Sequence, residues 1–180
     1  MLRPPDPPLT DGVVTLRPYR EEDVPDVAAA CRDPEIPRWT RVPEGYTEAD
    51  ARAFLATSEQ GWAEGTDAVF VIADATTHEL LGTAGIHQIG GGSGEIGYLV
   101  RRESRGRGVA PRAVRLVSGW ALTELGLARL ELLAEPANVP SQRVAEKAGF
   151  AREGVVRSYR EIKGRRRDFV MFSLLPGDLD

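Results

Sequence analysis

The alternation of apolar and polar residues divides the chain into eleven elements. Gly12 to Pro18 (GVVTLRP) reads as a first strand, and Glu21 to Cys31 as a helix with Val24, Val27 and Ala28 on one face. DPEIPRW, Asp33 to Trp39, is interrupted by prolines and reads as a loop. Thr47 opens a second helix: Thr47 and Asp50 have capping-box spacing, Ala51, Phe54, Leu55 and Trp62 form the apolar stripe, and Gly65 ends it. Three strands follow, over Ala68 to Ala73, Leu80 to Ile89 and Glu95 to Val100, the last two joined by the flexible run Gly90 to Gly94. Pro111 to Leu125 repeats apolar residues at helical spacing and stops at Gly126. Leu127 to Ala134 is a strand, and Asn138 to Ala148 a short helix closed by Gly149. Val155 to Ile162 and Arg166 to Leu174 form a hairpin about Lys163-Gly164. The order β-α-α-β-β-β-α-β-α-β-β predicts a mixed α/β fold with a parallel step across the Pro111 helix.

Composition narrows the classes. At 180 residues and 42% hydrophobic, the chain suits a single domain, placed at 12–176, with the proline-rich residues 1–11 as a loose arm. One cysteine, Cys31, rules out an intrachain disulfide, and with two histidines and no HExxH or CxxC the sequence offers no metal site. No stretch has the length of a membrane span and the N-terminus lacks a signal-peptide core, so a cytoplasmic protein is expected, as monomer or homodimer. A net charge of −4 argues against nucleic-acid binding. Charge is nonetheless uneven: residues 1–90 hold 7 basic against 16 acidic side chains, and residues 91–180 hold 16 against 11. This suggests a second half that holds an anion and a first half that favours a cationic partner.

The anion has a place. Arg101 to Pro111 (RRESRGRGVAP) lies between a predicted strand and a predicted helix. Gly106 and Gly108 remove side chains where backbone would approach a ligand, and the helix start directs unpaired N–H groups and its positive dipole end at the same turn. Arg101, Arg102, Arg105 and Arg107 add cations. A dinucleotide fingerprint would require glycine where Pro111 stands, and the P-loop pattern is absent.

RGRGVA, Arg105 to Ala110, resembles the R/Q-x-x-G-x-G/A motif with which the GNAT superfamily of N-acyltransferases binds the pyrophosphate of coenzyme A. EIGYLV, Glu95 to Val100, is similar to the strand before that motif, and NVPSQRVAEKAGF, Asn138 to Phe150, followed by Glu153-Gly154, to a signature of the RimJ/RimL-type branch. VVTLRPYREEDV and DPEIPRW are also similar to that branch. The resemblance implies a GNAT fold, with a twisted mixed sheet, splayed central strands and helices on both faces. It implies an enzyme that moves an acetyl group from acetyl-CoA to a primary amine, of a protein N-terminus or a small molecule, by direct attack in a ternary complex. Another acyl-CoA, such as succinyl-CoA, or a non-catalytic CoA-binding role are the alternatives.

The resemblance also implies roles. Arg105, Gly106, Arg107, Gly108, Val109 and Ala110 would hold the pyrophosphate, Leu99 and Val100 the acetyl and pantetheine groups through their main chain, and Asn138 the pantetheine arm. Ser141 would hydrogen-bond the sulfur and supply a proton; Asn138 also has the position of a helix N-cap. Arg143 and Lys147, four apart on one helix face, can reach the phosphates. Glu95 is the favoured base, with His87, Glu135 and Tyr159 as alternatives. Strict alternation would put Glu95, Gly97 and Leu99 on one face, and a bulge would alter that. Trp39, His87, Tyr98 and Tyr159 are candidate contacts to the amine; Trp62 and Trp120 follow core spacing.

Overall fold

The computed structural model describes residues 1–179. Eight strands form one sheet in the order β1-β2-β3-β4-β5-β6-β8-β7: β1 Leu9–Thr10, β2 Val14–Pro18, β3 Ala68–Asp74, β4 Leu80–Gly90, β5 Ser93–Val100, β6 Arg129–Ala134, β7 Ala151–Ile162 and β8 Arg165–Leu174. Every neighbouring pair is antiparallel except β5 and β6, the expected parallel step. Helices α1 (Val24–Cys31), α2 (Glu35–Trp39) and α3 (Glu48–Glu64) precede β3; α4 (Val109–Thr123) connects β5 to β6, and α5 (Val139–Lys147) follows β6.

Side chains that alternate along β3 divide the core between two clusters. Phe70 and Ile72 join Val114, Val117 and Trp120 of α4. Val71 and Ala73 join Val24, Val27 and Ala28 of α1 and Leu55 of α3. An apolar run without polar alternation is what a strand covered on both faces requires. Trp62, Phe70 and Trp120 meet with ring centroids 5.2 to 5.9 Å apart, so both core-spaced tryptophans are core.

Two expectations change. DPEIPRW contains the helix α2, because Pro37 stands in its first turn, where its missing N–H has no intrahelical partner to lose. The arm at residues 1–11 is tied down rather than loose. The Leu2 N–H donates to the Trp62 carbonyl at 2.9 Å, Leu9–Thr10 pairs with Thr15–Leu16, and Leu2 and Leu9 pack on the core. Apolar residues set among the prolines make that docking.

The last three strands are joined by one charged cluster. Arg129 of β6 donates twice to Glu153 of β7, at 2.8 Å each, and the Ser173 hydroxyl of β8 donates to the same carboxylate at 2.6 Å. Arg129 and Ser173 hold the Glu153 carboxyl down at about 2, against an ordinary 4.5. A value lowered by folding adds stability that is complete above about 4.5 and is lost as pH falls toward about 2; the exposure of Glu153 keeps the amount small. Between those pH values the melting temperature of the wild type is expected to fall more steeply than that of Glu153→Gln, and parallel curves by circular dichroism would contradict this.

Candidate functional site

Strands β5 and β6 pair through three residues, Ser93↔Arg129, Gly94↔Leu130 and Glu95↔Glu131, and then part. Beyond that point Ile96 to Val100 remain paired with β4, while Leu132 to Ala134 remain paired with β8. Each strand is held by its other neighbour, so the gap stays open. A cavity of about 570 Å³ occupies it, lined by Glu95 to Val100, Leu132 to Glu135, the turn before α4, the inner side of α5 and Trp39 of α2.

The turn before α4 has the geometry the sequence suggested. Gly106 and Gly108 have φ of +73° and +77°, a left-handed backbone that glycine adopts without strain. Gly108 is the N-cap of α4 and places no side chain over the helix end. Pro111 stands in the first turn, where it costs no helical hydrogen bond. Residues that alternate in backbone handedness can turn successive N–H groups to one side, a geometry suited to anions. Arg143 and Lys147 line the cavity and are exposed. Arg105 lines it too, but its guanidinium lies 2.6 Å from Asp33, in an ionic contact, and its Nε donates to the Val100 carbonyl at 3.1 Å. It therefore fastens the turn to β5 and to the segment before α2. Arg107 is exposed and lies outside the cavity lining.

Leu99 and Val100 line the cavity while their side chains pack into opposite core clusters, which leaves their main chain facing the gap. Asn138 caps α5, its side chain accepting from the Ser141 N–H at 3.3 Å, and also lines the cavity. The Tyr98 hydroxyl donates to Ser141 Oγ at 3.0 Å. Burial pushes the Tyr98 phenol up, opposed by this hydrogen bond. Tyr98 thus meets Ser141 at the middle of the cavity, a pairing across 43 residues that no local pattern announces.

At the far end, Glu95 lines the cavity at the last paired position of β5. Arg160 grips both of its oxygens at 2.7 and 2.8 Å, and this pairing raises the Arg160 guanidinium above its usual range. The register of β7 and β8 shifts between Val156 and Arg160, with Ser158 at φ +50°, and Arg160 meets Glu95 just past this irregularity. The alternation of β5 itself is unbroken from Glu95 to Val100; the bulge lies in β4, between His87 and Gly90. His87 is paired with Asp67 at 2.9 Å and lies outside the lining; Gly97 leaves room for its ring, since a Cβ there would sit 3.0 Å away. Tyr159, 38% exposed, leans on Phe169 outside the cavity. Glu135 lines the cavity and is paired with Arg167; Glu35 accepts from Arg38 and from the Trp39 indole. The acidic excess of residues 1–90 therefore presents no unpaired carboxylate at this end. Among the described residues no three His, Cys, Asp or Glu side chains are grouped to hold a metal ion, and no helix is long and apolar enough to cross a membrane.

Comparison with known proteins agrees with this geometry. Residues 14–151 match the acetyltransferase (GNAT) domain family. The chain is 34% identical over 164 residues to the uncharacterised N-acetyltransferase p20 of Bacillus licheniformis, covering 90% of this chain and 92% of p20. The Mycobacterium smegmatis RimJ structure, in complex with CoA-disulfide, superposes with a TM-score of 0.81 at 26% identity, over 93% of this chain and 84% of that one. A ribosomal-protein-S5-alanine acetyltransferase from Vibrio fischeri has the same fold, with a TM-score of 0.80 at 23% identity over 93% of this chain and 95% of that one. A glycine turn before a long helix, a parallel strand pair that opens beside it, and a domain match over most of the chain place this protein in the GNAT acetyltransferase family.

Proposed function

We propose that the protein moves the acetyl group of acetyl-CoA to a primary amine, by direct attack within a ternary complex. The observation that carries this reading is the continuity of one cavity from the Gly106–Ala110 turn, through the opening of β5 and β6, to Glu95 and Trp39. Acetyl-CoA supplies an acyl group already activated as a thioester. In this reading the N–H groups of the turn, with Arg143 and Lys147, hold the diphosphate. Asn138 and the main chain of Leu99 and Val100 position the pantetheine arm and the acyl carbonyl.

Proton handling follows from the same residues. Because Ser141 Oγ accepts from Tyr98, the serine hydrogen is left free to donate into the cavity, as the departing sulfur requires. At the acceptor end Glu95 is the carboxylate nearest the opening, and it receives the amine proton through the lone pairs Arg160 leaves uncovered. An α-amino group, whose ordinary pKa of about 7.7–8.0 leaves an appreciable neutral fraction at pH 7, is a readier nucleophile there than a lysine-like amine near 10.4. A protein or peptide N-terminus is the acceptor that fits. The relation to RimJ, and a 37% identity over 81 residues to YdaF of Bacillus subtilis, which is named a putative ribosomal N-acetyltransferase, covering 45% of this chain and 44% of that protein, support the same class.

Thiol release from acetyl-CoA across a panel of N-terminal peptides, amino acids, polyamines and amino sugars tests the reaction: turnover is expected with α-amines, and its absence across the panel would contradict it. Gly108→Trp, checked for folding by its melting curve, is expected to lower CoA affinity at least about 100-fold in calorimetry by filling the concavity. Unchanged affinity would move the diphosphate elsewhere. Ser141→Ala is expected to lower kcat about 10-fold or more, with CoA affinity nearly unchanged. Tyr98→Phe should lower kcat by less, and combining the two should add nothing to Ser141→Ala, whereas additive losses would show that Tyr98 does not act through Ser141.

A further inference from the structure

Beside the acceptor end of the main cavity lies a second, more open one of about 700 Å³, and Trp39 and Glu135 line both. Its other walls are Arg38, Pro136, Ala137, Arg165, Arg166, Arg167 and Asp168, so four arginines face two carboxylates.

The pairing of these charges matters more than their number. Each carboxylate in the acceptor half of the main cavity already has an arginine: Glu95 has Arg160, Glu135 has Arg167 and Glu35 has Arg38. An ammonium group carried elsewhere on an acceptor would have to displace one of these ion pairs to find a partner. Two arginines are left without a carboxylate. Arg166 donates to the Ser158 and Tyr159 carbonyls and to the Ser158 hydroxyl, which orient it; its cross-strand neighbour Glu161 and Asp168 of the same cavity form no ion pair with it. Arg165, exposed, has no hydrogen-bond or ion-pair partner among the described residues. Asp168, the remaining acid of this cavity, accepts from the Ser158 N–H at 2.7 Å. The floor is fixed as well. Arg38 stacks 4.6 Å from the Trp39 ring centre, and Lys163 of the hairpin donates to the Pro37 carbonyl, which joins the β7–β8 turn to α2.

We propose that this second cavity is an anion subsite of the acceptor: the amine that is acetylated carries a carboxylate or phosphate, which passes Trp39 and meets Arg165 and Arg166. The inference rests on the transferase reading and names its acceptor class. Both acidic residues near the N-terminus of a peptide and the acid group of a small amine supply this chemistry. Arg166, oriented by its bonds to Ser158 and Tyr159, and the unpaired Arg165 can donate N–H groups to such an anion, and both repel a lysine at the same place.

The test measures binding, apart from turnover. Wild-type protein saturated with CoA is titrated calorimetrically with three pentapeptides that begin with alanine and continue with aspartate and glutamate, with asparagine and glutamine, or with lysines. A second arm compares phosphoethanolamine with ethanolamine. The acidic peptide, the phosphorylated amine or both are expected to bind about 10-fold or more tightly than the uncharged or basic counterpart, the difference shrinking as salt is raised. Preference in one arm alone identifies the source of the anion. Arg165→Glu is expected to remove most of the preference and leave the affinity of the asparagine–glutamine peptide unchanged. Equal binding of the three peptides and of the two small amines, tighter binding of the lysine peptide, or no binding by any probe would overturn the proposal. If the acidic probes are preferred while acetyl-CoA yields no acetylated product, the reaction is wrong and the subsite stands.

Discussion

The site exists because one strand pairing stops early. β5 and β6 share three residue pairs, and past Glu95 each is bound to a different antiparallel neighbour. Parallel strands would ordinarily continue to exchange hydrogen bonds; here β4 and β8 hold them apart, and main-chain groups on the facing edges are left for a ligand. The crossover through α4 begins at one mouth of that gap, which is why the start of a helix lines it. The cavity, with the glycine turn at one end and the paired carboxylates at the other, is a consequence of this one divergence.

The cavity's two ends are fastened by different means. At the turn, glycine backbone and a helix start provide the surface, and Arg105 is engaged with Asp33 and the Val100 carbonyl. At the other end, arginine–carboxylate pairs link the last hairpin to β5 and to the residue after β6, and Arg167 also donates to the Arg38 carbonyl of α2. Such pairs fix geometry and leave charge to be discriminated. Partly buried, they are screened less than exposed pairs, so they position Glu95 and Glu135 more firmly than a solvated carboxylate would be.

Local patterns carried a large part of this into view. Helix α3 announces itself through Thr47, Asp50 and Gly65, and both capping hydrogen bonds and the left-handed Gly65 are present. The turn before α4 was legible because glycine spacing and a helix start are both local. Contacts between distant segments were not. Nothing near Glu95 in the chain points to Arg160, 65 residues away, and nothing near Tyr98 points to Ser141. Net charge by halves of the chain suggested a cationic partner, but side chains are neutralised in space, and the acids of the cavity end are matched by arginines. Proline count misread the segment holding α2, since a proline's effect depends on where in a helical turn it falls. The same count misread the N-terminal arm, where Leu2 and Leu9 decide the outcome.

A crystal structure of the protein with bound coenzyme A measures the central claim directly. The account predicts the diphosphate within hydrogen-bonding distance of backbone N–H groups in Gly106–Ala110, with the pantetheine arm threaded between β5 and β6 and its sulfur beside Ser141. A diphosphate held elsewhere, or a pantetheine arm that leaves the gap between the two strands empty, would contradict it.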